Sequence, residues 1–154
     1  MPIRVYECDR SEAAALKKVL EYDPYTDASI IPQAPASADK PEDKLSESER
    51  KELDEYEIRS KEARDKLSKD PRAMAIFVRQ SCTLKDGATV GLNADKLYLH
   101  INAAEDFFPK AEQRFKNEFK TIKRVQKKDE DVVIEAVKKD EERAGSGFGS
   151  IFGG

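Results

Sequence analysis

Residues 2–24, PIRVYECDRSEAAALKKVLEYDP, place a strand directly before a helix, and this order decides which folds the chain can adopt. Apolar and polar side chains alternate over residues 2–8, the pattern of a half-buried strand. Asp9 is a good helix N-cap, and Glu12 follows three residues later as in a capping box. Pro24 ends the helical run. The chain therefore begins with a strand and a helix that no hairpin separates.

A linker and a charged helix are predicted to interrupt the domain over residues 24–71. Residues 27–44 contain three prolines and several small residues, a composition typical of a loop. Ser46 and Glu49 form a second capping box. The helix that begins there carries opposite charges at i,i+4 spacing, which favours a mostly solvated helix. Its thin apolar stripe is Leu53, Tyr56, Ala63 and Leu67, and its charge pairs are Glu47/Lys51, Glu55/Arg59, Glu57/Lys61, Glu62/Lys66 and Asp65/Lys69.

The second half of the chain supplies two strands, a helix, a short strand and a last helix. Residues 72–84 are rich in β-forming side chains and precede a turn signal at 85–87, so we predict a strand and a returning strand that is broken near 93–95. Apolar residues at helical spacing predict an amphipathic helix from about residue 106. These residues are Phe108, Ala111, Phe115, Phe119 and Ile122. Residues 121–125 are read as a short strand, with the end of the preceding helix as the alternative, and a helix from Asp129 to a stop at Gly145 completes the order.

This order predicts an α+β fold, the βαββαβ sandwich called ferredoxin-like, as a single domain over residues 1–126. The insertion at 24–71 follows the first helix, a C-terminal helix spans 127–144, and a flexible Gly/Phe tail spans 145–154. Right-handed crossovers would place both helices of the sandwich on one sheet face and leave the other face free.

Residue alternation predicts what each sheet face carries. The helix side would receive Ile3, Val5, Leu97, Leu99 and Ile101. The free face would carry Arg4, Tyr6, Tyr98 and His100, with Phe77 and Arg79 from the strand between. Aromatic rings beside arginines on a four-stranded sheet are how RNA-recognition-motif domains stack bases.

The resemblance to those RNA-binding domains is architectural, since DKLYLHIN at 95–102 lacks their glycine-and-aromatic consensus. Three interpretations of the predicted face therefore stay open. It binds nucleic acid, or it is covered by the helix at 132–137 or by a second copy of the chain, or the strands pair in another register.

Composition limits the chemistry of the chain. Charged residues make up 38% of it, but the net charge is only −3, so a nucleic-acid site would need a local basic patch. No stretch approaches the roughly 20 apolar residues that cross a bilayer. The N-terminal MPIRVYECDR lacks the features of a signal peptide. We therefore expect a cytoplasmic protein with no membrane partner.

Few residues offer catalytic or metal-binding chemistry. His100 is the only histidine, and Cys8 and Cys82 are too far apart in sequence for a redox or zinc motif. We interpret both cysteines as small buried apolar residues. Nucleotide-binding and metalloprotease motifs are missing. The sequence thus predicts no enzyme activity, no cofactor and no metal.

The ending GSGFGSIFGG at 145–154 suggests a contact function. Burying Phe148, Ile151 and Phe152 would contribute roughly 1.5–3 kcal/mol each. Ordering a glycine-rich backbone costs about 1–2 kcal/mol per residue. The tail is therefore predicted to become ordered only in a partner's groove, as a short docking motif on a flexible tether.

The leading hypothesis is a small non-catalytic accessory protein that docks onto a larger protein complex through the tail and the charged helix. RNA binding through the aromatic face is the alternative from another class. A weaker alternative is a ubiquitin-like modifier, because the chain ends in Gly153-Gly154. That reading requires a β-grasp fold, which begins with a hairpin, whereas a helix is predicted here. A homodimer is also left open.

Overall fold

The computed structural model describes the backbone of residues 1–151 and the side chains of residues 1–144. The chain divides into two compact units. The first consists of Met1–Tyr22 and Phe77–Gly154, and the second is Asp23–Ile76. None of the helices in the described part of the chain is long and apolar enough to span a membrane.

The first unit is built on a four-stranded antiparallel sheet in the order β2-β3-β1-β4. The strands are β1 Ile3–Asp9, β2 Ser81–Asp86, β3 Lys96–Asn102 and β4 Lys123–Arg124. The first and third strands are therefore central neighbours, and the short fourth strand lies at one edge. With the helices described below, the protein is of the α+β class.

Helix α1, Ala13–Glu21, begins differently from the predicted capping box. A 3₁₀ turn precedes it, and neither Asp9 nor Glu12 caps a helix with its side chain. The Glu12 carboxylate instead accepts hydrogen bonds from the backbone N–H groups of Lys120 and Thr121, at 3.0 and 2.7 Å. These hydrogen bonds engage the Glu12 carboxylate, so it does not cap α1. They also connect the start of α1 to the loop before β4.

Helix α4, Phe107–Glu118, confirms the amphipathic helix that the phenylalanine spacing predicted. Phe108, Ala111 and Phe115 are buried. Phe119, the first residue after the helix, is also buried, and its ring lies edge-on to that of Phe115. The short strand predicted within residues 121–125 is present as β4.

Helix α5, Lys127–Ile151, covers one face of the sheet. Its Val133 and Val137 form a buried cluster with Val5 and Tyr98. This matches the alternative in which the last helix covers the sheet. The helix extends past its predicted stop at Gly145.

The predicted docking residues of the tail fall beyond the described side chains. For Phe148 and Ile151 only the backbone belongs to the described part, and Phe152 lies outside it altogether. The docking role of these side chains therefore stays a prediction from the sequence. The flexible tail predicted from Gly145 differs from the structure as far as Ile151, because α5 continues through these residues.

The strand predicted over residues 72–84 is mostly wrong. Helix α3, Pro71–Met74, occupies its start, a 3₁₀ turn spans Phe77–Arg79, and β2 begins only at Ser81. Capping explains the helix: Pro71 stands in its first turn, and the Asp70 side chain accepts a hydrogen bond from the Arg72 N–H at 2.9 Å. Local capping here outweighs the β-propensity of the residues that follow.

The second unit is organised by helix α2, Glu47–Leu67, which contacts 3₁₀ turns at Pro24–Thr26 and Ala36–Asp39. The Ser46/Glu49 capping box is present as predicted. In the described part of the chain, none of the predicted i,i+4 charge pairs of α2 closes a salt bridge, whereas Glu49 pairs with Lys40 at 2.7 Å. The outward charges of α2 are thus left to solvent or to a partner.

Candidate functional site

The register of the central strands corrects the predicted sheet faces. Val5 lies opposite His100, and Tyr6 lies opposite Leu99. Residues directly opposite each other in an antiparallel pair share a face. Tyr6 therefore lies with Leu99, and Val5 lies with Tyr98 and His100. The predicted relation between the two strands was wrong by one residue, which exchanges the faces of the whole first strand.

On the sheet face that Tyr6 shares with Leu99, Arg4 and Tyr6 contact helix α4. The Tyr6 hydroxyl donates a hydrogen bond to Glu112 Oε1 at 2.7 Å, and an Arg4 guanidinium nitrogen donates to the same oxygen at 3.0 Å. The Tyr6 ring is 2% exposed and lies edge-on to Phe115. Burial, reinforced by the Glu112 carboxylate, raises the pKa of Tyr6. The Arg4 guanidinium also stacks over the ring of Phe108, 4.8 Å from its centroid.

The predicted contributions of Phe77 and Arg79 to a sheet face are also wrong, because both residues belong to the 3₁₀ turn before β2. Phe77 is fully buried. Its ring stacks on Phe115 with centroids 5.3 Å apart, and it meets Phe107 edge-on at 5.4 Å. Phe77 is thus a core residue of the first unit.

Tyr98 and His100 lie on the opposite sheet face, the one they share with Val5, and helix α5 covers this face. Tyr98 is 2% exposed and His100 is 5% exposed. In the described part of the chain, His100 Nδ1 has no hydrogen-bond partner. Burial lowers the pKa of His100, although Glu141 and Glu130 act in the opposite direction. Base stacking requires an accessible ring face. Neither Tyr98 nor Tyr6 offers one.

The cysteines are not poised for reaction. Cys8 is buried, and burial is the main cause that raises its pKa. Burial raises the pKa of Cys82 to about 12. Both side chains are therefore thiols at neutral pH, which is the unreactive form. The described residues contain no group of three or more His, Cys, Asp or Glu side chains placed to hold a metal ion.

A cleft of about 430 Å³ lies between α4 and the edge strand β4. Its volume falls within the range of about 300–1,000 Å³ that is usual for ligand pockets. Aromatic and aliphatic residues form its floor, and four basic residues form its rim. The floor is Tyr6, Phe115, Phe119 and Ile122, the rim is Lys116, Lys120, Lys123 and Arg124, and Glu112 lies at one end.

The sequence around this cleft is strongly basic. Residues 110–128 contain eight Lys and Arg residues against two Glu residues, whereas the whole chain has a net charge of −3. The negative charge of Glu112 is already engaged by Arg4. Lys116 and Lys120 are exposed, and neither closes a salt bridge within the described residues. The other two basic residues of the rim are paired, Lys123 with Glu7 at 3.3 Å and Arg124 with Glu130 at 3.4 Å, so the uncompensated charge is that of the two lysines. The cleft is therefore a local site of positive charge, a signal that sequence analysis could have found in this run of lysines.

A second cleft, of about 570 Å³, lies between residues 85–90 and α5. Its rim mixes both signs of charge, since Lys85 is paired with Asp140, and Lys139 and Glu135 line the same space. This cleft lacks the single sign of charge that would select a ligand. The basic cleft is the stronger candidate.

Comparison of the chain with models of known protein families, with curated proteins and with solved structures found no match.

Proposed function

We propose that this protein is a small non-catalytic accessory protein that docks onto a larger protein assembly, and that the outward face of α2 is one of its contact surfaces. The proposal is supported by the exposed surface of α2. Ile58 is 60% exposed on α2, on a face whose charged side chains close none of the predicted pairs within the described residues. The element order and the strand order β2-β3-β1-β4 support a ferredoxin-like sandwich as the scaffold.

Helix α2 suits a contact role because its two sides differ. Leu67 is buried, and Leu53, Tyr56 and Ala63 on the same stripe are half-buried, so the inner side is fixed within the second unit. The outer side combines the exposed Ile58 with charged side chains that close none of the predicted i,i+4 pairs within the described residues. Apolar anchors surrounded by polar groups are typical of protein interfaces.

The C-terminal tail is the second proposed contact. Its Phe148, Ile151 and Phe152 would supply apolar anchors at the glycine-rich end of the chain, where α5 extends to Ile151. The ubiquitin-like modifier is not part of the proposal, because β1 is followed by α1 rather than by a hairpin strand.

Affinity purification of the tagged full-length protein from its own cell extract tests the proposal. We expect a stoichiometric protein partner that survives high salt, and we expect its recovery to fall when Ile58→Glu or deletion of residues 145–154 is introduced. Val78→Glu is the matched control, because Val78 is an exposed apolar residue outside α2. An unchanged set of co-purifying proteins in both variants would refute the docking role.

A further inference from the structure

The basic cleft of the first unit combines an apolar floor with a basic rim. The rings of Phe115 and Phe119 contribute to the floor but are themselves almost fully buried. Lys116 and Lys120 stand exposed on the rim. This arrangement fits a ligand that carries negative charge beside apolar groups. No residue of α2 lines the cleft, so the inference does not depend on the α2 surface.

The cleft also borders an unpaired strand edge. Strand β4 is last in the sheet order, and it pairs with β1 alone among the described strands. The Val125 N–H donates to the Val5 carbonyl at 3.1 Å, so the backbone of Val125 turns toward β1. Successive residues in an antiparallel ladder turn their backbone groups to opposite sides. The N–H and C=O of Arg124 therefore turn outward, away from β1.

We propose that this cleft binds an extended acidic segment of a partner protein, which adds as a strand to the edge of β4. Backbone hydrogen bonds to Arg124 would fix the direction of the segment. Its apolar side chains would lie on the floor formed by Phe119 and Ile122, and its carboxylates would pair with Lys116 and Lys120.

The charge of this strand edge distinguishes among three kinds of occupant: a second copy of the chain, single-stranded nucleic acid and a protein segment. The corresponding edge of a second copy would bring Lys123 and Arg124 against the same basic residues, and like charges opposite each other disfavour that pairing. Single-stranded nucleic acid satisfies the charge but needs ring faces for its bases. The faces of Phe115 are occupied, since Phe77 stacks on it and Tyr6 meets it edge-on. A protein segment with carboxylates and aliphatic side chains supplies the negative charge and needs no exposed ring face.

The test uses the full-length protein and a fluorescein-labelled peptide of about eight residues that alternates Val and Glu. Binding is followed by fluorescence anisotropy. We expect saturable binding that weakens as the salt concentration rises from about 0.05 to 0.2 M. The Lys116→Glu/Lys120→Glu variant should lose affinity by about tenfold or more.

Matched controls separate the cleft from a general charge effect. Lys17→Glu/Lys18→Glu changes two exposed lysines of α1 by the same net charge and should keep the affinity within about twofold. A peptide with N-methyl groups on alternate amides tests strand addition without altering the protein, and one of its two registers should bind at least about tenfold more weakly.

Three results would overturn the inference. The first is no binding of the Val/Glu peptide at about 1 mM, which corresponds to less than about 4 kcal/mol of binding free energy. The second is equal loss of affinity in the two double variants. The third is tighter binding of an oligothymidylate than of the peptide, which would assign the cleft to nucleic acid instead.

Discussion

The Glu130 carboxylate accepts a hydrogen bond from the backbone N–H of Val5 at 3.1 Å, in the place where a strand residue would otherwise accept it. The Val5 carbonyl is paired with the Val125 N–H, but β4 ends at Arg124. Glu130, on the first turns of α5, therefore completes the edge of β1. The Arg124 guanidinium lies 3.4 Å from the same carboxylate. One side chain thus joins the last helix to the sheet.

Removing this carboxylate should destabilise the fold. Glu130→Ala leaves a buried backbone N–H without an acceptor, so we expect the free energy of unfolding to fall by about 1–3 kcal/mol in urea titrations. Glu135→Ala, at an exposed position of the same helix, is the control and should change stability by less than about 0.5 kcal/mol. Equal stability of the two variants would show that the Val5 contact contributes nothing.

The aromatic core should be the most sensitive part of the first unit. Phe115 contacts Tyr6, Phe77 and Phe119, so Phe115→Ala opens a cavity among packed rings. We expect a loss of about 3–5 kcal/mol in the free energy of unfolding. Thermal or urea unfolding measures it, and Ile58→Ala on the exposed face of α2 should cost less than about 0.5 kcal/mol. A loss below about 1 kcal/mol for Phe115→Ala would contradict the described packing.

His100 should make stability depend on pH in the mildly acidic range. Its pKa in the folded protein is lowered from the ordinary value of 6.5, chiefly by burial. The unfolded chain therefore binds this proton more readily, and stability should fall as pH decreases through 6.5 and level off below the folded-state pKa. Urea unfolding at several pH values should show a smaller decline in His100→Gln. An identical decline in both proteins would indicate that His100 titrates freely.

Tyr6 should make the stability of the fold depend on pH in the alkaline range. Because its folded-state pKa is raised above 10.0, chiefly by burial, the folded protein retains the phenol proton that the unfolded chain releases. Stability should consequently fall as pH rises through 10.0, and less steeply in Tyr6→Phe. Ultraviolet titration checks this directly: Tyr6 should ionise only together with unfolding, so a tyrosine signal that accompanies unfolding should be lost in Tyr6→Phe. Ionisation of Tyr6 within the folded protein near pH 10.0 would contradict the prediction.

Several elements followed from local sequence because their signals are local. The spacing of Phe108, Ala111 and Phe115 along one helical face predicted α4, and Ser46 with Glu49 predicted the start of α2. The short strand β4 was also predicted. Capping and helical periodicity act within a few residues, so a sequence alone can reveal them.

The assignment of sheet faces failed for a physical reason. Alternation reports a face only when one side of the strand meets solvent. Here α4 packs on one face and α5 covers the other, so neighbouring residues such as Val5 and Tyr6 are both buried. With both faces apolar, the pairing register could not be obtained from the pattern of either strand.

The sequence by itself determined the start of α2, the amphipathic face of α4 and the excess of lysines between residues 110 and 128. Only the tertiary structure decided that Tyr6 from β1 forms part of the floor beneath those lysines, and that Glu130 reaches Val5. Both contacts join residues more than a hundred positions apart, and such contacts are set by strand register and helix packing, which no local pattern encodes.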